Sequence, residues 1–153
     1  RGMLFWLMGD LSQTGAPWIA LLILAAALLA AMPFARELNL LARGHDTAQA
    51  LGVNVKRLRY AVYAIASLVT AVAVTSAGSI GFVGLVVPHL VRLVIGNDQR
   101  LLLPASVLAG GALLTLADTL ARTIVAPQQL PVGVLTALIG VPVFLFLLAR
   151  HPR

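Results

Sequence analysis

Long apolar segments alternate with short polar ones along the whole of this chain. Five segments are long and apolar enough to predict membrane spans, namely residues 17–35, 58–77, 80–96, 101–121 and 132–149. A helix needs roughly 20 residues, at about 1.5 Å each, to cross the hydrocarbon core of a bilayer. The pattern therefore predicts an all-α, polytopic transmembrane helical bundle with about five spans.

The third of these segments differs in composition from an ordinary membrane anchor. Gly81 and Gly84 are followed closely by Pro88 and His89. Small residues let helices approach each other closely, and a proline in lipid requires neighbours that satisfy the freed backbone carbonyl. We expect this segment to lie inside a packed bundle, as either a continuous helix or a broken, partly re-entrant one.

The connection between the first two spans, residues 36–57, is too polar to cross a membrane but carries an apolar stripe. Asp46 is a suitable helix start and Gly52 a suitable end, so the pattern predicts two short surface helices separated by Gly44. Two interpretations remain open from the pattern alone. The segment is either an amphipathic loop resting on lipid headgroups or a docking helix for a cytoplasmic partner.

Basic residues fall mostly on one side of the predicted spans. Residues 36–59, 97–100 and 150–153 share a side and hold eight Lys or Arg, whereas the opposite side holds only Arg1 and Arg122. Lys and Arg concentrate in cytoplasmic loops. We therefore expect the amino end to lie outside and the carboxyl end inside. The start at Arg1, without a signal-peptide pattern, leads us to expect a fragment.

Composition agrees with a membrane protein. Hydrophobic residues make up 60% of the chain and charged residues only 10%, whereas about a quarter of a soluble domain is charged. The net charge of +6 does not indicate nucleic-acid binding, because the basic residues are spread between apolar blocks and form no basic face. The chain has no cysteine, which excludes disulfides and thiolate metal sites within it.

No catalytic pattern is present in the sequence. It lacks a Ser/His/Asp set, paired carboxylates within a span and the Gly-x-x-x-x-Gly-Lys-Ser/Thr loop that binds phosphate. His89 lies within a predicted span, where ionisable residues often have a function. However, no second metal ligand stands at helical spacing on the same span. We expect a packed histidine, no metal site and no enzymatic activity.

Asp118 and Arg122 stand four residues apart near the outer end of the fourth predicted span. This spacing makes side chains neighbours on a helix. One interpretation is an ion pair that makes Asp118 tolerable near the membrane. The other is that Arg122 faces outward and meets an acidic residue of an extracytoplasmic protein. The two roles are compatible if Asp118 orients Arg122.

Five motifs in order resemble the FecCD-like permease subunits of ATP-binding-cassette importers for iron-siderophores, haem and cobalamin. They are Phe5–Gly9, Ala48–Gly52, Gly78–His89, Asp118–Arg122, and Leu130–Gly133 with Gly140–Phe144. The resemblance spans essentially the whole chain and implies one transmembrane domain, residues 1–153, equivalent to the carboxyl half of a ten-helix type II permease. The structural signature positions that it implies are Gly78, Gly81, Gly84, Pro88, His89, Asp118, Pro131 and Gly133.

The same resemblance implies two docking surfaces. A cytoplasmic segment seats in a cleft of the ATPase, which corresponds here to Asp46, Thr47, Ala48, Gln49, Ala50, Leu51 and Gly52. The small Ala48 and Ala50 are expected to let that partner approach the backbone. Upstream, the family usually reads Leu-Gly-Glu-Glu, whereas this chain has Arg43-Gly44-His45-Asp46. On the outer face, Arg122 matches a position that docks the substrate-binding protein.

The implied function is transport of a metal chelate through the cell (inner) membrane. The implied partners are a second permease subunit (in a homo- or heterodimer), cytoplasmic ATPases, an extracytoplasmic binding protein and membrane lipid, without nucleic acid. This chain would bind no cofactor, because ATP is used by the partner ATPase. The alternative is a gradient-driven secondary transporter, which commonly places ionisable residues at the midplane of the membrane. Here most ionisable residues lie near predicted span ends.

Overall fold

The computed structural model describes residues 2–11, 15–124 and 130–150, which contain helices and no β-strand. In chain order the elements are α1 (Gly2–Leu7), α2 (Pro17–Ala31), a 3-10 turn (Met32–Phe34), α3 (Ala35–Leu41), α4 (His45–Ala50), α5 (Val55–Ala77), α6 (Val83–Ile95), α7 (Gln99–Thr123) and α8 (Val132–Arg150). The all-α class predicted from the hydrophobic pattern is confirmed.

Four stretches of helix in the described part of the chain are long and apolar enough to cross a membrane. They are Pro17–Leu41, Val55–Ala77, Gln99–Thr123 and Val132–Arg150. The first combines α2, the 3-10 turn and α3, so it continues past the predicted end at residue 35. Pro33 lies in the 3-10 turn, where it has no N–H to donate, and the chain stays helical on both sides of it.

The third predicted span, residues 80–96, is corrected by the structure. The helix there, α6, has 13 residues, which corresponds to about 20 Å and falls short of the roughly 30 Å hydrocarbon core. α6 remains helical through Pro88. The interruption lies before the start of α6, in the non-helical segment 78–82. Phe82 there has a φ of 66°, rare for an aromatic residue. Its side chain lies against Gly140 of α8, where an added Cβ would overlap it.

One end of the bundle is held by the α3–α5 cluster. Its buried members are Ala48, Val53, Val55 and Leu58, and the half-buried residues packed on them include Phe34, Leu38 and Leu41. These side chains come from α3, α4 and α5 and from the turns between them. Of the apolar stripe predicted for residues 36–57, Leu40, Leu41 and Ala48 are packed in this cluster, which attaches α4 to the long helices, whereas Leu51 is exposed.

The opposite end is held by the α7–α8 cluster. Its buried members are Ala117, Ala121, Val132 and Leu135, with Leu11 and Ile80 packed against them. Hydrogen bonds join the same region: the Asp10 N–H donates to the Ala77 carbonyl at 2.9 Å, and the Ser79 hydroxyl donates to the Leu7 carbonyl at 2.6 Å. Segments that are far apart in the sequence, 7–11, 77–80 and 130–135, meet here.

The helices between the two ends pack pairwise. α2 contacts α5, α6 and α7 form a hairpin, and α8 lies against both α6 and α7. Together, the non-helical segment 78–82 and α6 lead the chain from the α7–α8 cluster back toward the turn at 96–98, which contacts α3. Although α6 is short, the chain still crosses from one end of the bundle to the other along it. The connections between helices therefore fall into the two groups predicted from the sequence, one at each end.

Gly133 provides a test of the close packing at the α7–α8 cluster. A Cβ at this position would overlap the Met8 carbonyl oxygen, whereas a Cβ at Gly111 meets no described atom within 4 Å. We expect Gly133→Ala to lower the free energy of unfolding by about 1–3 kcal/mol. Gly111→Ala should leave it unchanged or raise it, because Ala favours a helix by about 1 kcal/mol over Gly.

Thermal unfolding of the purified protein in detergent measures both substitutions. Equal melting temperatures for Gly133→Ala and the unmodified protein would contradict the close approach seen here.

Candidate functional site

The short helix α4 is delimited by two glycines, as the sequence predicts. Gly44 precedes it with a φ of +124°, and Gly52 follows it with a φ of +83°. The Gly52 N–H donates to the Gln49 carbonyl at 2.9 Å and the Val53 N–H donates to the Ala48 carbonyl at 3.0 Å. This pair of bonds is the Schellman motif, which requires a left-handed residue and so favours glycine at position 52. The helix begins at His45, one residue before the predicted Asp46.

The two faces of α4 have different roles. Ala48 is completely buried in the α3–α5 cluster, so the expectation that it faces a partner is wrong. The other residues predicted for docking, namely Asp46, Thr47, Gln49, Ala50, Leu51 and Gly52, are exposed. Leu51 is 60% exposed although it is a large apolar side chain. A face with an exposed leucine, held in place by a buried alanine, can accept a protein partner without refolding.

A side-chain network that the sequence did not predict connects α3 with the start of α7. The Asn39 amide Nδ2 donates to Asp98 Oδ1 at 2.8 Å, and Asn39 Oδ1 accepts from the Gln99 N–H at 2.9 Å. Asp98 also caps α7 by accepting from the Arg100 N–H at 3.1 Å. The Asn39 hydrogen bond, followed by the Arg100 backbone bond, lowers the pKa of Asp98 below its ordinary value. The signal that could have indicated part of this network is the aspartate directly before α7, a residue type favoured as a helix cap.

At the other end, Asp118 and Arg122 form the predicted ion pair. Arg122 Nε donates to Asp118 Oδ2 at 2.8 Å, one helical turn apart on α7. The Arg122 side chain is 42% exposed and that of Asp118 is 27% exposed. The pair uses one edge of the guanidinium. Arg122 is thus oriented by Asp118 and still accessible. The predicted ion pair is confirmed, and the docking role of Arg122 stays a prediction.

The residues singled out as a structural signature lie in different surroundings. Gly78 and Gly133 are at close backbone approaches, where a Cβ would overlap the carbonyl oxygens of Trp6 and Met8 respectively. Pro131 is buried beside them at the start of α8. In contrast, a Cβ added at Gly81 or Gly84 would meet no described atom within 4 Å. Those two glycines lie on an open surface.

Pro88 and His89 lie on α6 and are half-buried. His89 lines a small space between α6 and α8 together with Leu85, Phe144, Leu147 and Leu148. Within residues 2–11, 15–124 and 130–150, no three His, Cys, Asp or Glu side chains stand close enough together to hold a metal ion.

An open cleft lies beside the non-helical segment 78–82. It has a volume of about 710 Å³ and is lined by α1, this segment and one face of α8, including Met8, Ser79, Phe82, Ala137 and Val141. Apart from Ser79 the side chains in its wall are apolar. Such a surface offers a smooth wall to a large solute and few groups that would retain it.

Known families and solved structures contain chains similar to this one. Residues 1–150 match the FecCD transport family. A solved structure assigned to the metal-chelate type of ABC transporter, in an inward-facing conformation, superposes with a TM-score of 0.85 at 34% identity. That match covers 98% of this chain and 49% of the other.

Curated relatives show the same pattern of similarity. The chain is 46% identical to the hemin transport system permease protein HmuU of Yersinia pestis, over 99% of this chain and 46% of the relative. It is 49% identical to the cobalamin import system permease protein BtuC of Halobacterium salinarum, over 97% of this chain and 40% of the relative. For the Fe(3+) dicitrate permease FecD of Escherichia coli, identity is 45%, over 96% and 47% respectively. The chain spans less than half the length of these relatives.

Proposed function

This chain belongs to the FecCD transport family, and we propose that it is part of the membrane-spanning permease subunit of an ATP-driven importer of a metal chelate. The chain is a multi-pass membrane protein, with four helices of membrane-spanning length in its described part. The proposed substrates are the classes named for its relatives, a haem, a cobalamin or a ferric chelate.

The similarity to permeases of three chelate classes is the observation that carries this proposal. Identity of 45–49% extends over nearly the whole chain for each of them. The chain spans less than half of each relative, so the proposed transporter has further permease helices. A second permease subunit is part of the same proposal. We propose that the apolar cleft beside segment 78–82 contributes to the wall of its pathway.

Energy would come from a separate ATPase. The sequence has no phosphate-binding loop of the kind that holds ATP, so the proposed complex uses ATP only through that cytoplasmic partner. The exposed face of α4, with Leu51 at its end, is the surface we propose for ATPase docking. On the outer face, Arg122 would meet an acidic residue of a substrate-binding protein.

Reconstitution tests the function as a whole. The intact permease would be placed in proteoliposomes with its ATPase subunit and binding protein, and haem, cobalamin and a ferric siderophore supplied in turn. We expect accumulation of one class that depends on ATP and is unaffected by collapsing ion gradients. Uptake that follows a proton or sodium gradient without ATP would replace this proposal with a secondary transporter.

Leu51→Asp tests the α4 surface. Leu51 is exposed, so the substitution should leave the melting temperature unchanged, whereas a carboxylate buried unpaired in a partner's cleft costs several kcal/mol. We expect co-purification of the ATPase to fall at least about tenfold, since about 1.4 kcal/mol corresponds to a factor of ten.

Leu51→Met is the matched control and should retain the ATPase. Ala48→Arg is the contrasting variant, because burial of Ala48 predicts a loss of folding rather than a selective loss of docking. Full ATPase binding by Leu51→Asp would exclude this surface.

Single cysteines test the orientation, and the chain has no cysteine of its own. The basic residues of 36–59 lead us to propose that this end is cytoplasmic. Lys56→Cys should then react with an impermeant thiol reagent only from the cytoplasm, and Gly15→Cys only from outside. The reverse labelling pattern would invert the proposed orientation.

Arg122→Glu tests docking on the outer face. An exposed ion pair contributes about 0.2–1 kcal/mol, so we expect a modest loss of affinity for the binding protein that a reversed charge on the partner partly restores. Expression and melting temperature of the permease are measured alongside, because the substitution also places a second carboxylate near Asp118. Lowered stability with unchanged affinity would leave Arg122 only as the structural partner of Asp118.

A further inference from the structure

Asn39 and Asp98 join two parts of the bundle that are otherwise separate in sequence. Asn39 lies on α3, immediately before the connection to α4, and Asp98 lies in the turn between α6 and α7. Two hydrogen bonds from one side chain cross this boundary, to Asp98 Oδ1 at 2.8 Å and from the Gln99 N–H at 2.9 Å.

The chemistry of the junction requires both groups of the Asn39 amide. Its carbonyl oxygen accepts from the otherwise unpaired first N–H of α7, and its NH₂ group donates to a carboxylate. Asp98 is exposed, and its carboxylate is ionised at neutral pH as aspartate ordinarily is. A hydrogen bond to an ionised acceptor is stronger than one between neutral groups. The junction is therefore short and directional.

The position of the junction connects the proposed docking surface to the pathway. α3 and α4 share the α3–α5 cluster, which includes the fully buried Ala48, so a displacement of α4 moves α3 with it. On the other side, α7 extends without interruption from Gln99 to Thr123, and α6 returns from the turn toward Phe82 and the apolar cleft. Asn39 and Asp98 form a direct side-chain contact between the two.

We propose that Asn39 and Asp98 are positioning residues that transmit movement of the ATPase-docking segment to the α6–α7 hairpin. This inference rests on the proposed function, because it assumes that a partner moves α4. The residues touch neither ATP nor substrate. Their contribution is to make α3 and the start of α7 move as one body, so that each ATPase cycle is converted into movement of the pathway wall.

A reciprocal exchange of the two side chains tests the junction. Asn39→Asp places two carboxylates together and removes the donor. Asp98→Asn keeps an acceptor for both the Asn39 amide and the Arg100 N–H. In the double variant, the amide introduced at position 98 donates to the carboxylate at position 39, which still accepts from the Gln99 N–H. The capping bond to the Arg100 N–H is given up, because Asp98 Oδ1 is the acceptor for both Asn39 and Arg100. The exchange thus restores the two hydrogen bonds that join α3 to the start of α7, with one of them reversed.

The measurement is the amount of chelate imported per ATP hydrolysed, in the complete complex of intact permease, ATPase and binding protein in proteoliposomes. Interacting network residues commonly couple strongly enough for a severalfold effect. We expect Asn39→Asp to lower the ratio at least about threefold while ATP hydrolysis continues. Asp98→Asn should remain within about twofold of the unmodified complex, and the double variant should return to that range.

A merely structural role gives a different result. It would lower the melting temperature and the yield of complex without changing the ratio in the complexes that assemble. An unchanged ratio in Asn39→Asp, or a double variant no better than Asn39→Asp alone, overturns the inference. If Asn39→Asp does not assemble, the ratio is measured for Asn39→Ala, which removes both hydrogen bonds without adding charge. An unchanged ratio there overturns the inference equally.

Import by the unmodified complex distinguishes failure of the proposed function from failure of the role proposed for Asn39 and Asp98. If it imports none of the three chelate classes with ATP, the proposed function fails and the inference fails with it. If it imports one of them and the ratios of the variants are unchanged, only the role of Asn39 and Asp98 is rejected.

Discussion

Hydrocarbon offers no hydrogen-bond partners to a peptide backbone, and this constraint governs the break in the bundle before α6. α6 covers only part of the membrane thickness, so the non-helical segment 78–82 needs hydrogen-bond partners from the protein. The Gly78 N–H donates to the Val74 carbonyl, and the Gly81 and Phe82 carbonyls accept from the Val83 and Val86 N–H groups. The Ser79 hydroxyl and Ile80 then attach the segment to the Leu7 carbonyl and to the α7–α8 cluster. Glycine at positions 78 and 133 lets the backbones approach closely enough for this arrangement. The meeting of 7–11, 77–80 and 130–135 follows from that requirement.

The opposite end is organised around a different need, the secure attachment of a short helix. A six-residue helix has little stability of its own. α4 is defined by Gly44 and by the Schellman motif at Gly52, and Ala48 anchors it in the α3–α5 cluster. Because one face is committed to the bundle, the other face presents Leu51 and its neighbours in a fixed orientation. A partner that binds there acts on the long helices, not on a loose loop.

Family membership and local geometry contribute at different levels. Similarity to the FecCD transport family assigns the chain to a transport class, but substrate and partner choice depend on particular surfaces. Arg43, His45 and Asp46 are exposed beside the exposed face of α4, so their charges are accessible there. At the other end of the bundle, Arg122 is oriented by Asp118 and is also accessible.

Features that depend on residues close together in the chain were determined by the sequence. Apolar runs predicted the long helices, Gly44 and Gly52 predicted the limits of the helix between them, and the spacing of Asp118 and Arg122 predicted their ion pair. These features follow from helix rise, backbone conformational preference and the four-residue neighbour rule, all of which are local.

The tertiary structure decided which face of α4 is buried, where the third predicted span is interrupted, and that Asn39 meets Asp98 across 59 positions. Hydrophobic periodicity could not show that Ala48 points inward, because an alanine suits a packed interior and an open docking face equally well. Each of these outcomes depends on distances between segments remote in sequence, which only the packing of the whole bundle determines.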